Sequence, residues 1–151
     1  MLLPIFVSGA NMQIDQAGID LIRGFEGCKL EVYLDIAGIP TIGVGHAIRP
    51  PESAADYAGG IDQDQANGLL QRDLEPVERG VNSIIPPSCT QNQYNALCSF
   101  AFNLGLSNMR VMISHGWDQI PAQMLRWDNA AGKPSAGLEA RRKAESALFT
   151  S

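Results

Sequence analysis

Glu26, Asp35 and Thr41 follow one another at intervals of nine and six residues, within the runs Gly24-Phe25-Glu26-Gly27-Cys28, Tyr33-Leu34-Asp35 and Pro40-Thr41-Ile42-Gly43-Val44-Gly45-His46. Two carboxyls and a hydroxyl this close suit a hydrolysis in which one acid protonates a leaving oxygen. The second carboxylate and the hydroxyl then hold the attacking water, as cleavage of a sugar-sugar bond requires. That division of labour needs one carboxyl protonated near neutrality and the other ionised. Taken singly, each residue has an ordinary use: a Glu after a helix is a surface carboxylate, an Asp in a hairpin forms a turn, and a Thr after Pro belongs to a strand. Only the combination points to chemistry.

The elements that must position these groups are legible from periodicity and punctuation. Asp15 is an N-cap for a helix over 16–27, with Ile14 and Ile19 as a hydrophobic staple. Ile19, Ile22 and Phe25 share one face, and Gly27 stops the helix so that Glu26 projects from its last turn. Residues 32–48 are rich in β-branched side chains and broken by Ala37-Gly38 and Pro40, which predicts an antiparallel hairpin or three-stranded sheet. A reversal centred on Gly38 turns Asp35 and Thr41 toward each other, while Gly43 and Gly45 serve bends or close backbone approach. Residues 49–60 read as a loop.

Asp62 and Gln65 form a capping box before a long helix carrying Ala66, Leu69, Leu70, Leu74, Val77 and Val81, with Pro76 predicting a kink or local break. Thr90 and Gln93 repeat the box before an apolar helix through Leu104, and two further helices are predicted over 117–127 and 138–148. The chain therefore reads as α+β, mainly helical. A small hairpin lobe and a larger helical lobe are joined by the long helix and flank a cleft.

The spacing of the triplet, the Gly-Val-Gly-His run, and the later segments 61–66, 93–97, 100–105, 126–127, 137–138 and 141–145 together resemble the phage-type lysozymes of glycoside hydrolase family 24. The resemblance runs over about residues 12–149. It implies a lysozyme-like fold and a muramidase that hydrolyses the β-1,4 bond between N-acetylmuramic acid and N-acetylglucosamine in bacterial peptidoglycan. It further implies an inverting reaction, no metal or organic cofactor, and a role in lysis of a bacterial host. On this resemblance Glu26 is the acid, and Asp35 and Thr41 hold the water. Arg141 pairs with the acid, so burial and a neighbouring cation act on that carboxyl in opposite directions and displace its pKa only modestly. Asn103 and Trp127 belong to the helical side of the cleft, with packing an equally good explanation for Trp127. His46 reads as structural, hydrogen-bonded within the hairpin lobe. Residues 106–116 are several positions shorter than the family pattern, which predicts a truncated helix or a loop there.

A chain of 151 residues with 45% hydrophobic content fits one domain over 12–151, preceded by an extension of unknown role over 1–11. The net charge of -5 and sequence pI near 4.9 argue against a nucleic-acid partner, and against a DNA-binding reading of the helix after Thr90. An acidic chain also gains no overall steering toward an anionic wall. Arg141, Arg142 and Lys143 are then either a local basic cluster or a solvated helix face. The apolar run over 2–7 is too short for a membrane anchor and lacks the basic start of a secretory signal. A monomer that accumulates in the host cytoplasm before release to the wall is the corresponding expectation.

Cys28, Cys89 and Cys98 have no metal-ligand spacing and read as reduced, buried small residues, with a regulatory disulfide at Cys28 as the alternative. The rival function is a lysozyme-like module that binds peptidoglycan without cleaving it. Retention of all three residues of the triplet weighs against it.

Overall fold

The computed structural model describes residues 10–151, so the reading of 1–11 as an extension falls almost wholly outside the described residues. Asp15 caps α1 (Gln16–Glu26) as its side chain dictates, its Oδ1 accepting from the backbone N–H groups of Ala17 and Gly18 at 3.1 and 3.3 Å. Gly27 ends the helix at φ +71°, where a residue with a Cβ would be strained, and leaves Glu26 as its last member. Ile22 is fully buried, but Phe25 is 38% exposed, so the apolar face of α1 is narrower than its periodicity predicts.

Chain contacts divide the molecule into two compact units, one formed by 20–76 and the other by the residues up to 19 with 77–151. In the first unit, β1 (Lys29–Leu34), β2 (Pro40–Gly43) and β3 (His46–Ala47) form an antiparallel sheet in the order β1-β2-β3. Tyr33 pairs with Thr41 and Leu34 with Pro40, and Thr41 in turn pairs with Ala47. Residues 49–60 are not wholly loop, since a 3-10 turn forms over Ala54–Tyr57. Asp62 and Gln65 then exchange hydrogen bonds of 2.7 and 2.8 Å, the predicted capping box, to start α2 (Gln63–Asn82). The core of this unit gathers Ile42, Ile48 and Leu69, with Val32, Tyr57 and Ile61 packed against them.

Of the kink or local break predicted at Pro76, the break does not occur, and α2 runs as one 20-residue helix through it. Proline removes one N–H from the ladder and crowds the preceding turn, which packing of Leu74, Val77 and Val81 on the buried face offsets.

In the second unit, Thr90 and Gln93 form the other predicted box and open α3 (Gln91–Leu104), whose stretch from Tyr94 to Ala101 is buried. The shortened segment keeps an eight-residue helix, α4 (Leu106–Ile113), anchored by the fully buried Met109 and Met112. The helix predicted over 117–127 is reduced to a 3-10 turn at Trp117–Gln119 and the short α5 (Ile120–Met124), which takes Pro121 in its first turn. A small hairpin of β4 (Asn129–Ala130) and β5 (Lys133–Pro134), absent from the sequence reading, turns through Ala131 and Gly132 at φ +50° and +77°. The chain closes with α6 (Ala136–Thr150), capped by Ser135. No helix among the described residues is long and apolar enough to cross a membrane.

Candidate functional site

The unit formed by 20–76 contains all three residues of the triplet. Asp35 follows the end of β1, and its Oδ1 accepts hydrogen bonds from the backbone N–H groups of Ala37 and Ile39, both at 2.8 Å. The bland reading of this residue as a turn former is therefore true of one carboxylate oxygen. The other, Oδ2, takes no hydrogen bond among the described residues and remains available. Thr41 is 4% exposed in β2, and its hydroxyl donates to the Ile39 carbonyl at 2.8 Å, leaving its lone pairs to accept. The backbone of Ile39 thus donates to Asp35 through its N–H and accepts from Thr41 through its C=O, and the Asp35 N–H returns to the same carbonyl at 3.0 Å. Sequence reasoning missed Ile39 because the contribution is made by backbone atoms.

Glu26 is half-buried at the end of α1. The Gly45 backbone lies against it at φ +66°, so that a Cβ built there would stand 2.8 Å from Glu26 Oε2 and 3.3 Å from its Cδ. The close backbone approach expected of Gly45 is made to the candidate acid itself. Tyr33 connects the two carboxylates electrostatically. Burial raises its hydroxyl pKa above the ordinary 10.0, and the negative charges of Glu26 and then Asp35 add to the rise. Its ring stacks under the Lys29 ammonium, 4.2 Å from the centroid. Nothing in the residue type singled Tyr33 out, but its position two residues before Asp35 in a strand places it across from Thr41.

His46, next to Gly45, is 8% exposed and clamped on both sides. Its Nδ1 lies 2.9 Å from an Asp73 carboxylate oxygen and its Nε2 3.1 Å from Glu52 Oε1. Each ring nitrogen thus faces a carboxylate oxygen. The Tyr57 hydroxyl donates to Glu52 Oε2 and completes a chain from α2 through β3 to the 3-10 turn. That hydrogen bond, helped by His46, holds the Glu52 carboxyl below its ordinary 4.5, and it pushes Tyr57 from 10.0 up to about 12.

A pH window follows from these two shifts. The lowered Glu52 stabilises the fold above pH 4.5, and its contribution fades as pH falls through the lower folded value; the raised Tyr57 stabilises it below pH 10.0, and that contribution fades toward about 12. Tyr57→Phe should therefore lower the melting temperature most between those limits, with the difference from the parent chain closing at either extreme. A pH series of thermal melts checks this, and a constant difference across the range would show that only packing was lost.

The other unit holds the remaining predicted residues. Arg141 and Arg142 are 3% and 0% exposed, so they do not form the basic surface cluster or solvated face expected from sequence. Only Lys143 is at the surface, paired with Glu139 at 2.7 Å. The two arginines instead surround the fully buried Glu145, which a lone sequence reading offered no means to find. Arg141 Nε lies 3.4 Å from Glu145 Oε2, and its Nη2 donates to the Ser99 carbonyl at 3.2 Å. Arg142 Nε lies 2.8 Å from Glu145 Oε1, close in distance but off the hydrogen-bond direction. Burial pushes the Glu145 carboxyl up and Arg142 down, with their mutual attraction opposing both shifts. Asn103 accepts from Arg142 Nη2 at 2.7 Å. Trp127 meets Phe100 edge-on, with ring centroids 5.9 Å apart, and packs on the core of this unit.

All three cysteines are free thiols. Cys98 is buried as expected and Cys89 half-buried, its thiol pushed up to about 11 by burial, but Cys28 is exposed and is no core residue.

Residues 23–145 match the family described as Phage lysozyme. The endolysin of Salmonella phage P22 is 36% identical over 146 residues, spanning 93% of this chain and 99% of the relative. The endolysin of Bacillus phage PZA is 38% identical over 151 residues, and there the match spans 93% of this chain but only 56% of the longer relative. Among solved structures, an endolysin from Escherichia coli O157:H7 phage FAHEc1 superposes with a TM-score of 0.81 at 34% identity, covering 93% of this chain and 95% of the other.

Proposed function

The chain belongs to the phage lysozyme family, a family of glycoside hydrolases with the lysozyme-like, mainly helical α+β fold, and from that premise we propose that it is a muramidase cleaving the β-1,4 bond between N-acetylmuramic acid and N-acetylglucosamine in bacterial peptidoglycan. Glu26 protonates the leaving oxygen. Asp35 accepts the proton of a water that also bonds to Thr41, and the water attacks the sugar from the opposite face in an inverting displacement. Asn103, Arg141, His46 and Trp127 support substrate or machinery without taking part in proton transfer.

The observation that most supports this reading is the arrangement around Ile39 and Tyr33. The backbone of one residue, Ile39, bonds both Asp35 and Thr41, and one phenol senses the charges of both Glu26 and Asp35. A turn-forming Asp alone would need neither the buried Thr41 hydroxyl on the same residue's backbone nor a second carboxylate within electrostatic reach. Host lysis is the biological setting, with a single chain held in the host cytoplasm until it meets the wall. The domain assignment of 12–151, with 1–11 as an extension, belongs to the same proposal.

Digestion of purified peptidoglycan tests the bond cleaved. New reducing ends should be N-acetylmuramic acid, read by borohydride reduction and mass spectrometry of the fragments. Reducing N-acetylglucosamine would refute the bond assignment, and wall binding without new ends would favour the non-catalytic module.

A further inference from the structure

In the unit formed by 20–76, the 3-10 turn at Ala54–Tyr57 and the first half of α2 enclose a surface pocket of roughly 360 Å³ whose lining includes none of the triplet and, of the His46 chain, Tyr57 alone. Tyr57, Ile61 and Leu69 give it apolar walls, and Gln65 and Arg72 add polar groups from α2. Gly68, on the same face of that helix, is the unusual member. Glycine is the poorest helix former after proline, and here a Cβ would meet no atom within 4 Å. No neighbour forbids a side chain at position 68, so the consequence of glycine there is an open pocket.

The unused hydrogen-bonding groups define what would fill it. Gln65 spends its Oε1 on the Asp62 N–H, which leaves its amide N–H₂ to donate. Arg72 makes no hydrogen bond or ion pair among the described residues, and its charge reaches Glu52 and Tyr57 only at a distance. Both offer donors suited to an anion, and a guanidinium favours a planar carboxylate. Asp56 uses Oδ2 for the Ser53 N–H at 2.8 Å, leaving Oδ1 to accept from a ligand N–H. A carboxylate, an adjoining N–H and small apolar groups are together the end of a peptide. The volume lies at the lower end of ligand pockets, which suits two small residues rather than a long segment.

We propose that this pocket binds the carboxylate end of a short peptide built of small residues, with the carboxylate on Arg72 and Gln65 and the side chains on Tyr57, Ile61 and Leu69. Peptidoglycan carries such peptides on its glycan strands, so the site would hold the wall away from the bond being cut. Only that last link rests on the proposed function; the binding itself does not.

Titration of the isotope-labelled full chain with N-acetyl-D-alanyl-D-alanine, followed by amide NMR, tests it. Saturable shifts are expected at Tyr57, Ile61, Leu69 and Arg72. The C-terminal amide of the same compound, acetate and inorganic phosphate should each bind at least about tenfold more weakly, because each lacks either the carboxylate or the peptide body. Gly68→Leu should fill the pocket and abolish the shifts while melting no lower than the parent chain, and Arg72→Gln should weaken binding about tenfold. Absence of saturable shifts, an equal response to acetate or phosphate, or shifts that persist in Gly68→Leu would each overturn the proposal. Hydrolysis of a glycan stripped of peptide, measured in parallel, should be unchanged by Gly68→Leu. Its absence in the parent chain would refute the hydrolase reading and leave the pocket to be judged by the titration alone.

Discussion

Glu26→Gln is expected to reduce clearing of outer-membrane-permeabilised bacterial cells by about 1,000-fold, within the range that loss of a positioned general acid produces. The amide matches the carboxyl in size and keeps a group in contact with Gly45. What disappears is the transferable proton. Peptidoglycan binding should persist, since the variant keeps the surface of the unit intact. Turbidity traces with equal amounts of folded protein, alongside a pull-down on purified wall, separate the two. Clearing retained within a few-fold of the parent chain would remove Glu26 from the role of acid.

Gly45→Ala is expected to lower kcat by about 100-fold, the scale associated with displacing a catalytic group by roughly an ångström. The added methyl would stand 2.8 Å from Glu26 Oε2, closer than unbonded atoms approach. The colliding atom is the far end of a flexible side chain, so the carboxyl moves aside more readily than the sheet does. The positive φ of Gly45 adds about 1–2 kcal/mol of backbone strain, which corresponds to a melting temperature lower by roughly 2–8 °C. Activity should therefore fall far more than stability. Parallel kinetics and calorimetry check the split. A variant that loses only stability, with kcat preserved in the folded fraction, would show that Glu26 does not depend on the Gly45 backbone for its place.

Local rules carried far in this chain. The caps at Asp15, Asp62 and Thr90 formed as their side chains dictate, because each N-terminus is decided within four residues. The hairpin around Gly38 and the end of α1 at Gly27 were equally local matters, and with them the setting of the triplet was legible. Sequence failed where distant residues decide the outcome. Periodicity suggested a buried Phe25 and an exposed arginine run. The placement of Glu145 and Ser99 inverted the second, because two guanidiniums can be buried once a carboxylate and a carbonyl meet them. Pro76 suggested a kink or local break, yet the helix runs on through it between the buried Leu74 and Val77. At the candidate site, side-chain types announced Glu26, Asp35 and Thr41. Gly45 announced a close backbone approach but not that Glu26 is what it approaches, Ile39 acts through backbone atoms that look alike in every residue, and Glu52 and Asp73 reach His46 from 6 and 27 positions away, beyond any local pattern.

The anomer first released from a soluble β-1,4 glycan strand, followed by NMR in the first minutes before mutarotation, tests the arrangement of Glu26, Asp35 and Thr41 most directly. Direct attack by a water held on Asp35 and Thr41 predicts the α-anomer as the first product. A β-anomer formed first would mean that a carboxylate, and not water, makes the initial attack, contradicting the roles assigned to Asp35 and Thr41.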